Sequence, residues 1–140
     1  MPAKKRTAKK KTLEKKSTRK AINLPQHSPE LPFSDAVLAG NTLYLSGRLG
    51  LDPATGKVPP DVDREIDFLL DGFEAVLKQS GLGWDELVWV QIFSSDLSLW
   101  QQFNAKYVKR FRGDLPARAF LSCPPLLFNG RFEMMGIAMK

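Results

Sequence analysis

The sequence contains one cysteine and one histidine among its 140 residues, and this scarcity excludes several kinds of chemistry. Cys123 can form no disulfide within the chain and no metal site built from several cysteines. Because His27 is the only histidine, we expect neither Ser-His nor Cys-His nucleophilic catalysis, and no zinc chemistry. The sequence therefore predicts no metal site, and His27 is assigned a structural or incidental role.

Long apolar runs are also absent. No segment approaches the roughly 20 apolar residues that a membrane-spanning helix requires. The N-terminus lacks the apolar core of a secretory signal peptide. We therefore expect a cytoplasmic protein without a membrane partner, or a nuclear one if the source is eukaryotic and the basic N-terminus acts as an address.

The net charge of +6 is concentrated at one end of the chain. Residues 1–20 carry ten Lys and Arg against one acid, whereas residues 21–140 carry eleven against fourteen and have a net charge of −3. We expect residues 1–20 to be a disordered basic tail, because they bury almost nothing and repel one another. This tail could contact nucleic acid through its phosphates, and a solvated tail that aids solubility explains it equally well. Residues 21–32 are predicted to be a linker, followed by a folded domain over residues 33–140.

Hydrophobic periodicity in the folded part predicts two helices and several strands. One helix is expected to begin near Asp63 and end at Gly81, and a second to run from Asp96 or Ser98 to near Gly113. Strands are predicted at residues 35–39, 42–46, 88–95, 118–122 and 131–139. This order is typical of the α+β class, with a mixed sheet that carries two helices on one face. Such a sheet leaves a face and edges uncovered, which favours assembly of identical chains.

The candidate functional residues lie in the last part of the chain. Pro116 ends the second helical segment, so Arg118 is expected to open a strand. Glu133 is an acid within a mostly apolar strand. A guanidinium can grip a carboxylate with two parallel hydrogen bonds, and a nearby acid can move a proton. Together they indicate an enzyme that acts on a small anionic substrate.

Structural alternatives exist for each of these residues. Arg118 could form a salt bridge between subunits, and Glu133 could pair with Arg131 or Arg48 at a subunit boundary. Cys123 precedes two prolines and could be an exposed thiol, although a lone cysteine is more often a small buried apolar group.

Several motifs agree in order and spacing with one known family. They are Leu-Pro-Phe-Ser-Asp-Ala-Val with Ala-Gly-Asn, Leu-Tyr-Leu-Ser-Gly, Leu-Asp-Pro-Ala-Thr-Gly, Phe-Asn-Ala-Lys-Tyr, Pro-Ala-Arg, and the closing Glu-Met-Met-Gly-Ile-Ala-Met. Residues 33–139 therefore resemble the RidA family, also called YjgF or L-PSP endoribonuclease. The resemblance implies a chorismate-mutase-like fold, a homotrimer with active sites between subunits, and hydrolysis of reactive imines and enamines to 2-keto acids and ammonia without a cofactor.

The same resemblance implies roles for individual residues. Arg118 matches the arginine that binds the substrate carboxylate, and Glu133 matches the acid associated with the attacking water. Ser46 and Gly47 match a small pair that lines the pocket. Asn104 matches a helix asparagine near the site.

The chain also departs from the family pattern. Phe33 stands where the deaminases usually carry a pocket tyrosine, and Arg48 where they usually carry glutamine. The backbone at Phe120 matches a substrate contact, but its side chain is bulkier than usual. The loop over residues 123–130 replaces the usual Ala-Arg-Leu-Pro run. These differences leave the substrate open.

Three functions are therefore compared. The first is an imine deaminase that acts on small 2-imino acids. The second is a non-catalytic trimer that senses a small carboxylate, which the phenylalanine at position 33 favours somewhat. The third is RNA binding or cleavage with the basic tail supplying phosphate contacts, which the acidic balance of residues 21–140 and the single histidine disfavour.

Overall fold

The computed structural model describes residues 18–140, so the predicted basic tail lies outside the described residues apart from its last three positions. Eight regular elements follow one another along this part of the chain. They are β1 (Arg19–Ile22), β2 (Ala36–Ala39), β3 (Thr42–Leu49), α1 (Val62–Gln79), β4 (Leu87–Ser94), α2 (Trp100–Tyr107), β5 (Ala117–Ser122) and β6 (Phe132–Met139). None of the helices in residues 18–140 is long and apolar enough to cross a membrane.

The strands form one six-stranded sheet in the order β1-β2-β3-β6-β4-β5. Neighbouring strands run antiparallel except β4 and β5, which are parallel. A parallel pair needs a crossover connection, and α2 provides it. The predicted α+β class, with a mixed sheet and two helices, is confirmed.

The ordered structure begins earlier than the sequence predicts. Arg19–Ile22 is a strand that pairs with β2, and Ile22 and Leu24 are buried in the core. The prediction that residues 1–20 are all tail and residues 21–32 a linker is therefore wrong for residues 19–22, whereas residues 23–32 contain turns and no helix or strand. A four-residue edge strand has too little periodicity to detect, and its stability comes from pairing with β2 rather than from its own sequence.

Helix α1 begins and ends through local hydrogen bonds. Asp61, rather than the predicted Asp63, is the N-cap: its side chain accepts from the backbone N–H of Asp63 at 2.8 Å and of Arg64 at 3.2 Å. At the other end Gly81 has a φ of +75°, the left-handed conformation expected of a residue that ends a helix.

Helix α2 is held against α1 by two ion pairs. Lys106 Nζ lies 2.9 Å from Asp67 Oδ1, and Arg110 Nη2, just after the helix, lies 2.7 Å from Asp71 Oδ1. On its inner side the Phe103 ring packs on other aromatic rings, with a centroid distance of 5.1 Å to Phe132. These contacts fix the position of α2 over β5, where the candidate site begins.

Only one face of the sheet is covered by the helices. On β6, Phe132, Met134 and Ala138 point toward the helices and are fully buried. The alternate residues of β6 point to the other face, which we call the open face. Tyr44 and Trp89 also lie there and are 51% and 37% exposed, so the open face presents large apolar side chains in the single chain.

Candidate active site

Arg118 lies on the helix-covered face of the sheet. It pairs with the buried Val90 on β4, and its guanidinium carbon is 4.8 Å from the centroid of the Tyr107 ring and 5.6 Å from that of Phe120. Within residues 18–140 the guanidinium forms no hydrogen bond and no ion pair. Contacts with two aromatic faces hold an arginine in place without neutralising it. Its charge and its donors therefore stay available to an anion.

A cavity of about 290 Å³ adjoins this arginine. Its lining consists of Asn104, Tyr107, Val108, Leu115, Pro116 and Arg118, and we call it the Arg118 pocket. Asn104 Oδ1 and the Tyr107 hydroxyl are buried and have no hydrogen-bond partner within residues 18–140. Such atoms are costly to leave unpaired, so the pocket is better suited to a polar ligand than to an empty state.

A second group of predicted site residues lies on the open face. Gly47 on β3 is next to Glu133 on β6, so closely that a Cβ at position 47 would collide with the Glu133 carboxylate. Ser46 precedes this glycine, and its Oγ donates a hydrogen bond to the Ser34 carbonyl at 2.6 Å. Burial raises the pKa of the Cys123 thiol, and the nearby negative charge of Glu133 raises it further. Ser46, Gly47 and Glu133 form the open-face group.

Glu133 forms no hydrogen bond or ion pair within residues 18–140. The alternative in which it pairs with an arginine is not found in the single chain, because both candidate arginines have other partners. Arg131 binds the buried carboxylate of Glu65, and Arg48 Nη2 donates to Asp35 Oδ1 at 3.3 Å. Glu133 is thus an acid without a counterion on the open face.

Arg48 does not join the open-face group. The pairing of β3 with β6 shifts register between Leu45 and Arg48, and this bulge turns Arg48 toward α1, where its Cδ packs against Gly72. Burial lowers the pKa of Arg48, while the charge of Asp35 acts in the opposite direction.

Phe33 lies in the N-terminal segment, and its side chain has no polar group. Its ring is 48% exposed and packs edge-on against His27, with a centroid distance of 6.4 Å. His27 Nδ1 in turn lies 3.1 Å from Asp35 Oδ1. Phe33 and Arg48 therefore border the N-terminal segment rather than the Arg118 pocket.

The predicted site residues thus fall on two faces of one sheet. Arg118 and Phe120 lie on β5 under α2, which carries Asn104, whereas the open-face group lies on the other side of the sheet. Sequence reasoning did not assign Tyr107 to the site. Helix spacing could have indicated it, because Tyr107 follows Asn104 by three residues on a helix and so lies on the same helix face. No group of three His, Cys, Asp or Glu side chains within residues 18–140 could hold a metal ion.

The model of the protein family described as Endoribonuclease L-PSP matches residues 25–140, which is well over half of the chain. The chain belongs to this family, also known as RidA. A 2-iminobutanoate/2-iminopropanoate deaminase of Bos taurus is 34% identical over 110 residues, which cover 78% of this chain and 80% of the relative. Protein DfrA of Myxococcus xanthus is 36% identical over 126 residues, which cover 87% of this chain and 96% of the relative.

Solved structures of RidA proteins have the same fold. The Rid family protein YyfA of Yersinia pestis is 29% identical and superposes with a TM-score of 0.79 over 87% of this chain and 99% of that one. RidA of the Antarctic bacterium Psychrobacter is 25% identical, with a TM-score of 0.80 over 86% of this chain and 99% of that one. The predicted family is therefore confirmed by both sequence and fold.

Proposed function

We propose that this RidA protein hydrolyses reactive 2-imino and 2-enamino acids of the 2-aminoacrylate type to 2-keto acids and ammonia, without a cofactor. The observation that carries the proposal is the guanidinium of Arg118, which lies beside a cavity, rests on two aromatic rings and has no acidic partner within residues 18–140. A small carboxylate is the natural ligand for such a group. The relatives named as imine deaminases support the reaction class.

The chemistry needs few protein groups because an imine carbon is already electrophilic. A water oxygen forms a bond to that carbon, giving a tetrahedral amino alcohol, and the C–N bond then breaks to leave a keto group and ammonia. In the proposal Glu133 takes a proton from the water and delivers one to the departing nitrogen. Arg118 holds the carboxylate with two parallel hydrogen bonds and so aims the imine carbon at the water.

The positions of these two residues imply how a complete site is formed. Arg118 and Glu133 lie on opposite faces of the sheet in one chain, so one substrate cannot easily meet both. We propose a homotrimer in which the Arg118 pocket of one copy adjoins the open-face group of its neighbour. The exposed apolar side chains of the open face, including Tyr44 and Trp89, would be covered in the same assembly.

A carboxylate-sensing trimer is the second candidate. Phe33 favours it, because a phenylalanine supplies no hydrogen bond where the deaminases usually have a tyrosine. Both candidates use Arg118 to bind an anion and differ only in turnover. For RNA cleavage, no observation in residues 18–140 offers comparable support.

A coupled assay tests the proposal. An amino acid dehydratase acting on serine or threonine generates the imine in place, and release of ammonia or keto acid is followed with and without the protein. We expect the protein to accelerate imine hydrolysis well above the uncatalysed rate. No acceleration, together with measurable binding of pyruvate, would instead favour the sensor.

A further inference from the structure

The strongest unassigned feature is the hydroxyl of Tyr107. The side chain is 3% exposed and packs among aromatic rings, with centroid distances of 5.9 Å to Phe103 and 4.9 Å to Phe111. The residue lines the Arg118 pocket, and its hydroxyl is buried and has no hydrogen-bond partner within residues 18–140. A buried phenol normally finds a partner. The missing partner is therefore expected to be something that enters this pocket.

The chemistry of the neighbouring groups identifies that partner. The guanidinium of Arg118 lies over the face of the same tyrosine ring, so an anion bound by Arg118 would lie close to this residue. Burial raises the pKa of Tyr107 to about 12, with the charge of Arg118 acting in the opposite direction. The hydroxyl therefore keeps its proton at neutral pH and can donate it to an anionic oxygen.

We propose that Tyr107 is a further substrate-binding residue, whose hydroxyl donates a hydrogen bond to the carboxylate that Arg118 holds. This inference rests on the proposed function for the identity of the ligand. In the same pocket Asn104 Oδ1 can only accept, so it suits the N–H of an imine. A 2-imino acid, which carries both a carboxylate and an N–H, satisfies both unpaired atoms at once.

Tyr107→Phe is the decisive variant because it keeps the ring and removes only the hydroxyl. The stacking on Phe103 and the contact with Arg118 should be retained. Since the hydroxyl has no partner to lose within residues 18–140, the melting temperature should stay the same or rise. A purely structural hydroxyl would lower it instead, so the melting temperature separates the two roles.

Binding is measured by calorimetry with pyruvate, the keto acid that 2-iminopropanoate would yield, and with its uncharged methyl ester. We expect Tyr107→Phe to weaken pyruvate binding about tenfold or more, because a hydrogen bond to a charged oxygen is lost. Binding of the ester should change far less. Ser80→Ala is the control: it removes a buried hydroxyl that donates to the Val76 carbonyl at 2.9 Å at the end of α1, so it should lower the melting temperature and leave pyruvate binding unchanged.

The outcomes separate this inference from the proposed function. If the parent protein binds pyruvate in a Tyr107-dependent way but hydrolyses no imine, the inference stands and the deaminase proposal fails. If the parent protein hydrolyses the imine and Tyr107→Phe keeps the parental KM and pyruvate affinity, the inference is overturned and the deaminase proposal stands. The inference is also overturned if the variant dissociates or melts earlier, since the hydroxyl then serves a contact between copies, or if the parent protein binds no pyruvate.

Discussion

Arg118 is charged, aromatic rings hold it on two sides, and no acid within residues 18–140 neutralises it. An arginine in this setting differs from lysine in shape more than in charge. A guanidinium is a planar fork that fixes both oxygens of a carboxylate and stacks on rings, whereas an ammonium is a single point on a flexible stem. The geometry of this residue is therefore expected to matter more than its charge.

Arg118→Lys should nearly abolish hydrolysis of 2-iminopropanoate while the assembly and melting temperature stay near parental values. Loss of one charge-assisted hydrogen bond costs roughly 1.5 to 3 kcal/mol, and misplacing the substrate by about 1 Å adds on the order of a hundredfold in rate. Steady-state kinetics of the purified variant measure the effect. Parental kcat/KM in the variant would remove the carboxylate-binding role.

Glu133→Gln should change two properties at once. Turnover should fall more than substrate affinity, because the amide keeps the size of the side chain but removes the basic oxygen. In addition, the negative charge that raises the pKa of Cys123 is gone, so the thiolate fraction at pH 8 should increase.

Alkylation by iodoacetamide measures that second effect, since Cys123 is the only cysteine. We expect labelling of the variant to be faster than labelling of the parent protein at pH 8, with the rates converging well above the pKa of the thiol. Equal rates at pH 8 would show that the Glu133 carboxylate does not influence the thiol.

At the scale of elements, one buried acid anchors the segment that follows the N-terminal strand. Asp35 is 9% exposed; its carboxylate accepts from the Leu24 N–H at 2.8 Å and from Arg48 Nη2 at 3.3 Å. The backbone N–H of Asp35 donates to Asn23 Oδ1 at 2.9 Å. These bonds join the segment that follows β1 to the start of β2 and to the bulged part of β3.

Asp35→Asn should therefore loosen β1 as well as lower global stability. The loss of stability should be roughly 1.5 to 3 kcal/mol, because the partly buried Arg48 loses a charge-assisted hydrogen bond. Hydrogen exchange of Arg19–Ile22 and denaturant unfolding would measure the two effects. The control is Asp71→Asn, whose exposed ion pair with Arg110 should contribute less than about 1 kcal/mol. Equal losses in the two variants would contradict the role of Asp35.

The sequence predicted the elements with strong periodicity and missed those without it. Helix α1 carries apolar residues at regular steps, and β6 is a long apolar strand, so both were predicted. Strand β1 has four residues and two positive charges, and its stability comes from the partner strand, which no local pattern reveals.

Candidate residues for the site could be named from the sequence, but their arrangement in space could not. The resemblance to the family indicated Arg118 and Glu133, but strand alternation and the bulge in β3 decide on which face each candidate lies. Arg48 follows Ser46 and Gly47 directly in sequence, yet the bulge turns it toward α1. A role for Tyr107 required knowing that its hydroxyl is buried without a partner.

At the scale of the whole molecule, assembly is the central expectation. A single chain leaves large apolar residues of the open face exposed, and such a surface favours association. Light scattering should give a mass about three times 15.7 kDa at micromolar concentration. Deleting residues 1–17 should leave three chains in the assembly, whereas deleting residues 1–22 also removes β1 and should lower the melting temperature. A monomeric mass for the full chain would remove the proposed site between subunits.

The placement of Arg118 and Glu133 on opposite faces of the sheet has a genetic consequence: two inactive variants should complement each other. In a trimer whose sites take Arg118 from one copy and Glu133 from the next, a mixed assembly of Arg118→Lys and Glu133→Gln chains contains some sites with both parental residues. Each mixed trimer, whichever variant contributes two copies, contains one such site in three, so the purified mixed trimers should recover about one third of the parental activity. Co-expression with two different affinity tags, followed by tandem purification and assay, measures this recovery. If the mixed trimers are as inactive as either variant alone, both residues of each site come from the same chain.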